Sequence, residues 1–179
     1  WDGMVALREH SKVPISGAEL LGDWHELRAV IERGCLDKLQ PDCTFAGGLT
    51  VAKQCMDACA ERGLHYSPHT WSNGIGFLIN LHAFAAWGRD TYLEYPYEPP
   101  GWVPWVRDGV IPPIEVGPGG TVAVPQEPGL GIHLDRKLMK KYARRFYVTT
   151  PTRLAIKTIM DKGLKTALEL KKRKEARTP

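Results

Sequence analysis

The sequence predicts an α/β domain built on a parallel sheet, and three observations lead to this prediction. In residues 1–95, a short β-prone run is followed each time by a polar or glycine-containing turn and then by an amphipathic helical stretch. Strands and helices that alternate in this way form βαβ units, whose right-handed crossovers place parallel strands side by side. The 179 residues, 43% of them hydrophobic, are enough to bury one core. The aromatic content of 9% excludes a disordered chain.

The predicted strands and helices follow one another with clear boundary signals. Asp23 is the predicted N-cap of the first helix, and Gly34 ends that helix. Gly47-Gly48 opens the second helix, which ends at Gly63. The third helix, residues 75–87, is almost entirely apolar, so we expect it to be buried, and it is too short to cross a membrane. The predicted strands are residues 13–16, 36–40, 64–67 and 91–95.

Proline content and charge divide the remaining chain into two segments. Residues 96–135 are predicted to form a Pro/Gly-rich loop and return segment of the same domain, with a hairpin that pairs residues 114–116 with residues 122–124. Residues 136–179 contain 15 Lys/Arg against 3 Asp/Glu and are predicted to form a basic helical extension. No recognised nucleic-acid-binding motif accompanies this charge, so we expect a solvated helix that packs on a neighbouring subunit rather than a nucleic-acid partner.

The four cysteines do not have the spacing of a metal site or of a disulfide framework. Cys55 and Cys59 lie four residues apart in a predicted helix, and no CxxC pair is present. A chain of this size with a full core does not need disulfide bonds for its stability. We therefore expect reduced thiols in a cytoplasmic protein, and no zinc site.

Four acid–base residues follow the predicted strands at regular intervals. Glu19, Asp42, His69 and Glu94 stand at or just beyond the strand ends, and their separations of 23, 27 and 25 residues each correspond to one βα unit. The carboxyl ends of neighbouring parallel strands meet in one crevice, so we expect the four side chains to face a common cavity. The alternative for any one of them is a structural role, because a carboxylate at a strand end often caps the next helix.

The segments that contain these residues occur in a characteristic order. They are residues 13–19 (VPISGAE), 40–42 (QPD) before Gly47-Gly48, 67–71 (SPHTW), 93–96 (LEYP) and 128–135 (PGLGIHLD). In this order and at this spacing they resemble consecutive motifs of the enolase superfamily. Within the superfamily they are most similar to the mandelate racemase subgroup (mandelate racemase/muconate lactonizing enzyme-like), which contains many acid-sugar dehydratases. The resemblance covers about residues 1–142.

The resemblance implies a fold and a reaction. The fold would be the C-terminal half of a modified TIM (β/α)7β barrel, comprising strands 5–8. The reaction would be Mg²⁺-dependent abstraction of the proton α to a carboxylate, followed by dehydration of an acid sugar. The alternatives are a racemase or epimerase of a 2-hydroxy acid on the same scaffold, and a truncated, catalytically inactive interaction module.

The resemblance also implies a role for each site residue. Glu19 would be a carboxylate ligand of Mg²⁺, and His69, hydrogen-bonded to Asp42, would be the general acid/base. Glu94 would contact the substrate carboxylate or the enolate from the other side. The metal-ligand motif often reads Gly-Gly-Glu, and Ala18 replaces its second glycine here.

Two further residues and the partners complete these expectations. Trp71 and Asn73 follow the predicted histidine base on the same loop and could line the substrate pocket, although capping of the next helix is an equal alternative for Asn73. Half a barrel exposes strand edges and an apolar inner face. We therefore expect a partner, either a missing N-terminal half or other subunits of a homo-oligomer, and a small carboxylate substrate.

Overall fold

A computed structural model of the chain divides into two compact units, Trp1–Met139 and Lys140–Pro179. The strands of the first unit are β1 (Ser16–Gly17), β2 (Lys38–Leu39), β3 (His65–Tyr66), β4 (Val116–Gly117) and β5 (Thr121–Val122). Its helices are α1 (Asp2–His10), α2 (Trp24–Arg33), α3 (Gly48–Arg62) and α4 (Gly74–Trp87). Helix α5 (Arg136–Tyr142) spans the division, and α6 (Pro151–Glu175) belongs to the second unit. The structure describes residues 1–71, 74–89, 92–97, 111–143 and 149–175.

Strands β1, β2 and β3 form one parallel sheet in this order, which confirms the predicted α/β fold. Each strand has only two residues, fewer than predicted. Backbone hydrogen bonds nevertheless continue past the strand ends, since the Gln40 N–H donates to the Gly17 carbonyl and the Ser67 N–H donates to the Leu39 carbonyl. The register pairs Ser16 with Lys38, Gly17 with Leu39, Lys38 with His65 and Leu39 with Tyr66.

The fourth predicted strand, residues 91–95, differs in the structure. Residues 92–97 belong to no strand, and position 91 lies outside the described residues. Side-chain hydroxyls join this segment to the end of β3, because Ser67 Oγ donates to the Tyr92 carbonyl at 3.0 Å and Thr70 Oγ1 donates to the Glu94 carbonyl at 2.6 Å. Pro68 lies between the two donors and has no N–H, while the Ser67 and His69 N–H groups bond to the carbonyls of Leu39 and Gln40.

The main core lies between the sheet and the helices that follow β1 and β2. The predicted apolar face of α2 is buried, and Asp23 caps that helix by accepting the Glu26 N–H at 3.0 Å. Gly34 ends α2 and Gly63 ends α3, both in the left-handed conformation that favours glycine, as predicted. The buried residues include Leu27, Val30, Ile31, Cys35, Leu36, Leu39, Cys43, Cys55, Met56, Cys59 and Tyr66.

A second apolar cluster joins α4 to the segment after residue 110. Phe77, Leu78 and Leu81 of α4 pack with Ile111 and Ile114. The antiparallel hairpin β4–β5 follows with Val116 opposite Val122, inside the ranges predicted to pair. This cluster accounts for the almost entirely apolar sequence of α4, which is buried on most of its sides. None of the described helices is long and apolar enough to cross a membrane.

Helix α6 of the second unit is interrupted in its middle. Gly163 has φ 81° and ψ 158°, which no α-helical residue adopts, so that the helix consists of two parts. Seven apolar side chains of this helix are solvent-exposed in the structure. The exposed residues are Leu154, Ile156, Ile159, Met160, Leu164, Leu168 and Leu170.

Asp37, which precedes β2, makes the free energy of unfolding of the first unit depend on pH in acid. The Ile15 N–H at 2.8 Å and the Arg8 guanidinium at 2.7 Å lower the pKa of Asp37 below its ordinary value of 3.8. The unfolded chain therefore binds this proton more readily than the folded chain does. The contribution to the free energy of unfolding is complete above pH 3.8 and is lost as the pH falls through the lowered pKa.

We expect Asp37→Asn to lower the free energy of unfolding at neutral pH and to have a smaller effect at pH values below 3.8. Urea denaturation at both pH values measures this difference. Asp57→Asn is the control, because Asp57 forms an exposed ion pair with Lys53 on α3, and such pairs contribute about 0–1 kcal/mol. An Asp37→Asn effect of equal size at both pH values would contradict the assignment.

Candidate active site

Asp42 and His69 meet at the carboxyl ends of β2 and β3. Asp42 follows β2 by three residues and is fully buried, and His69 follows β3 by three residues, with 15% of its side chain exposed. His69 Nδ1 lies 3.1 Å from Asp42 Oδ2, a hydrogen-bond distance. The His69 N–H also contacts the Gln40 carbonyl at 3.4 Å, which ties the loop after β3 to the end of β2.

The two oxygens of the Asp42 carboxylate have different partners. Oδ1 accepts hydrogen bonds from the Thr44 N–H, from Thr44 Oγ1 and from Asn80 Nδ2, each at 2.8 Å. Oδ2 faces His69. An ionised carboxylate only accepts hydrogen bonds, so that Nδ1 of a neutral His69 ring carries the proton and Nε2 is the basic atom.

Glu19 lies on the other side of the imidazole ring. It follows β1 by two residues, and its Oε2 is 4.0 Å from His69 Nε2. Just over half of the Glu19 side chain, 54%, is exposed. The basic nitrogen of His69 therefore faces a solvent-accessible carboxylate.

Glu94 reaches the same group of residues through Thr70. Its Oε2 accepts the Thr70 N–H at 2.7 Å, and its own carbonyl accepts Thr70 Oγ1. Thr70 is fully buried and adjacent to His69 in sequence. The structure therefore brings all four predicted acid–base residues to the carboxyl ends of the strands, three by direct contact and Glu94 through Thr70.

Of the two predicted substrate-binding residues, the structure describes only Trp71. Trp71 follows Thr70 on this loop and is 46% exposed, which leaves its ring available to a ligand. Asn73 lies outside the described residues.

Glu19 fits a magnesium ion as one ligand, because Mg²⁺ prefers carboxylate oxygens and this carboxylate is accessible. In the described part of the chain, no group of three His, Cys, Asp or Glu side chains forms a complete metal site. The described residues thus provide one oxygen ligand and not a full coordination shell.

A cavity of about 330 Å³ lies at the opposite end of the strands. Its lining includes Val13 and Pro14 before β1, Asp37 before β2 and Leu64 before β3. Because the active sites of parallel βα folds lie at the carboxyl ends of the strands, this cavity is not the candidate active site.

Three polar residues that bond to the carboxylates of the site were not predicted as site residues. Thr44 and Asn80 bond to Asp42, and Thr70 bonds to Glu94. Of these three, only Asn80 has a signal in the sequence, because it and His82 interrupt an apolar helix and a buried amide needs hydrogen-bond partners.

Ala18, beside Glu19, adopts a backbone conformation that favours glycine. Its φ is 80°, whereas left-handed backbone costs an L-residue about 1–2 kcal/mol. We expect Ala18→Gly to raise the free energy of unfolding by about 0.5–1 kcal/mol, after the extra chain entropy of glycine is subtracted. The midpoint of urea denaturation measures this change. Ala58→Gly in α3 is the control and should lower the free energy of unfolding by about 1 kcal/mol. If both variants change the free energy of unfolding in the same direction, the strain at Ala18 is contradicted.

The fold and the site together define an α/β barrel segment that carries an acid–base cluster at the carboxyl ends of its parallel strands. The chain belongs to the enolase C-terminal domain-like family, whose model matches residues 1–138. This confirms the resemblance to the enolase superfamily and its mandelate racemase subgroup, and the C-terminal barrel half as the fold.

Curated relatives of this chain include several enzymes of the superfamily. The chain is 25% identical to D-galactarolactone cycloisomerase of Agrobacterium fabrum over 79% of its length and 38% of the relative. It is 30% identical to o-succinylbenzoate synthase of Geobacillus kaustophilus over 74% of its length and 35% of the relative. It is 26% identical to D-galactonate dehydratase of Ralstonia pickettii, with the same two coverages of 74% and 35%. The chain is therefore similar to enzymes of more than one reaction type.

A solved structure supports the same fold. The 3,6-anhydro-D-galactonate cycloisomerase of Zobellia galactanivorans superposes with a TM-score of 0.67 at 30% identity, over 79% of this chain and 39% of that chain. The chain thus spans 35–39% of the length of these four proteins.

Proposed function

We propose that this chain provides the histidine–aspartate acid/base pair and one metal carboxylate of a Mg²⁺-dependent enzyme that dehydrates an acid sugar. The observation that carries the proposal is the contact between His69 Nδ1 and the buried Asp42 carboxylate, which leaves Nε2 basic and directed towards Glu19. A ring nitrogen that accepts a proton near neutral pH, beside a carboxylate ligand for a cation, suits proton abstraction α to a carboxylate.

The chain's own residues account for the movement of the proton. His69 Nε2 takes the α-proton, and the electron pair of the broken C–H bond moves into the substrate carboxylate to form an enediolate. Asp42 fixes the ring orientation and stabilises the imidazolium that results. The protonated His69 then donates its proton to the β-hydroxyl, which leaves as water while the enediolate electrons form the carbon–carbon double bond.

Two carboxylates have roles around the reacting carbon. Glu19 would hold the cation, which when bound supplies positive charge that offsets the enediolate. Glu94 would contact the substrate from the side opposite His69. The Thr70 N–H binds one oxygen of the Glu94 carboxylate and thereby orients the group. Trp71, exposed beside them, would contact the sugar chain.

The names of the relatives support the substrate class. Two of the three curated relatives described above are named for reactions of D-galactonate or D-galactarolactone, and the solved structure is named for 3,6-anhydro-D-galactonate. All three names denote sugar acids or their lactones. We therefore propose an acid sugar as the substrate. Because the described residues provide one oxygen ligand for the cation, we also propose a multi-chain or longer protein as the active form, and the cytoplasm as its location.

Incubation of the complete enzyme with a panel of acid sugars in ²H₂O tests this function. We expect ¹H NMR to show loss of the α-proton signal together with formation of a dehydrated keto product. An epimeric product that carries deuterium and retains all its hydroxyls would instead identify a racemase or epimerase. No exchange with any acid, in a folded protein saturated with Mg²⁺, would favour an inactive interaction module.

A further inference from the structure

Helix α4 carries a buried polar residue to which the proposed reaction assigns no role. Asn80 has no exposed surface, and most of its neighbours on α4 are apolar. All of its polar groups are nevertheless bonded: Nδ2 donates to Asp42 Oδ1 at 2.8 Å and to the Gly76 carbonyl at 3.1 Å, and Oδ1 accepts the Cys43 N–H at 3.0 Å. Burial of an amide is costly without such partners, and these three hydrogen bonds offset that cost for Asn80.

The bonds of Asn80 differ in kind from those of Thr44. Thr44 lies two residues from Asp42, and its bonds to Oδ1 form a turn within the loop itself. Asn80 is 38 residues away in sequence and bonds to two consecutive residues of that loop, Asp42 and Cys43. It therefore fixes the loop after β2 against the helix that follows the His69 loop.

We propose that Asn80 is a positioning residue of the acid/base pair. By holding the loop after β2 against α4, it keeps Asp42 Oδ2 directed at His69 and thereby keeps the ring proton on Nδ1. The proton position is a property of this chain, whereas the effect on turnover rests on the proposed function. The two can therefore be tested separately.

The first test measures the position of the ring proton. ¹⁵N NMR of the 179-residue chain distinguishes protonated from unprotonated ring nitrogens, and the His69 signals are assigned by their absence in His69→Asn. We expect the neutral ring of the unaltered chain to carry its proton on Nδ1. In Asn80→Leu, which removes the amide at similar volume, we expect a mixture of both tautomers.

A second variant covers the case in which Asn80→Leu does not fold. Asn80→Ala removes the same amide without adding bulk or charge beside Asp42. We expect the same loss of the single tautomer. A folded Asn80→Leu or Asn80→Ala that retains the proton on Nδ1 alone would overturn the proposal.

Two controls separate positioning from a loss of stability. Leu81→Ala removes a buried side chain of the same helix that does not bond to Asp42, and it should leave the tautomer unchanged. Thr44→Val removes one local donor and keeps the Thr44 N–H, and it should also retain the proton on Nδ1. A tautomer mixture in Leu81→Ala would show that instability alone moves the proton, which would overturn the proposal.

The second test measures turnover in the complete enzyme. Loss of a group that orients a functional residue typically costs about 10–100-fold in activity, and we expect this loss in kcat of Asn80→Leu with little change in KM. If Asn80→Leu changes the tautomer but the unaltered enzyme turns over no acid sugar, the positioning role is retained and the proposed function is rejected. Normal kcat in an Asn80→Leu enzyme whose ring proton has moved would overturn the role of Asn80 in catalysis.

Discussion

Replacement of His69 by asparagine is expected to reduce the rate of α-proton exchange in the complete enzyme by about 10²–10⁴-fold, the usual contribution of a positioned acid/base. The asparagine side chain can reach Asp42 but has no atom that accepts a proton near neutral pH. ¹H NMR of the substrate in ²H₂O measures the rate directly. The loss should be in kcat, since His69 contributes to the transition state more than to binding.

The exposed residue His25 provides the matched control for this experiment. His25 is exposed on α2 and is not one of the acid–base residues of the site, so that His25→Asn should leave the exchange rate unchanged. Asp42→Asn should lower the rate in the same direction as His69→Asn, because the ring would lose the acceptor that orients it. Exchange that persists undiminished in His69→Asn would assign the base to another residue.

Replacement of Leu39 by alanine is expected to lower the free energy of unfolding by about 2–5 kcal/mol, the range for a buried leucine whose cavity does not collapse. Leu39 is fully buried in β2, between β1 and β3, so that strands on both sides restrict its relaxation. The midpoint of urea denaturation should fall with an unchanged slope.

Leu20→Ala is the control for this stability measurement. Leu20 is 69% exposed, and surface substitutions usually change stability by less than about 0.5 kcal/mol. A Leu39→Ala effect as small as that of Leu20→Ala would mean that β2 is not the centre of the core.

The elements of the fold that could be predicted are those with local signals. Asp23 and Gly34 bound α2 as their residue types indicate, because capping and left-handed backbone depend on one or two residues. Helix α1 was not predicted, and it contains no buried residue that would give it a strong apolar periodicity. Residues 91–95 are predicted as a strand from their β-prone sequence. In the structure the Tyr92 and Glu94 carbonyls accept hydrogen bonds from side chains of the loop after β3, which local propensity does not reveal.

The candidate site was predictable to the extent that topology determines it. Glu19, Asp42, His69 and Glu94 could be placed at one end of the sheet because parallel strands bring their carboxyl ends together. The contacts that orient them could not be predicted in the same way. Asn80 reaches Asp42 from a helix 38 residues away, and which buried amide meets which carboxylate depends on the packing of α4.

Because all four cysteines are buried, alkylation of their thiols measures the opening of the core. Cys35, Cys43, Cys55 and Cys59 are all buried, and burial raises the pKa of the Cys43 thiol to about 11. A thiolate is the form that reacts with alkylating reagents, so that burial shields all four thiols sterically and the raised pKa further lowers the reactivity of Cys43. Each alkylation event therefore requires a local or global opening, and its rate depends on how often the core around these four thiols opens.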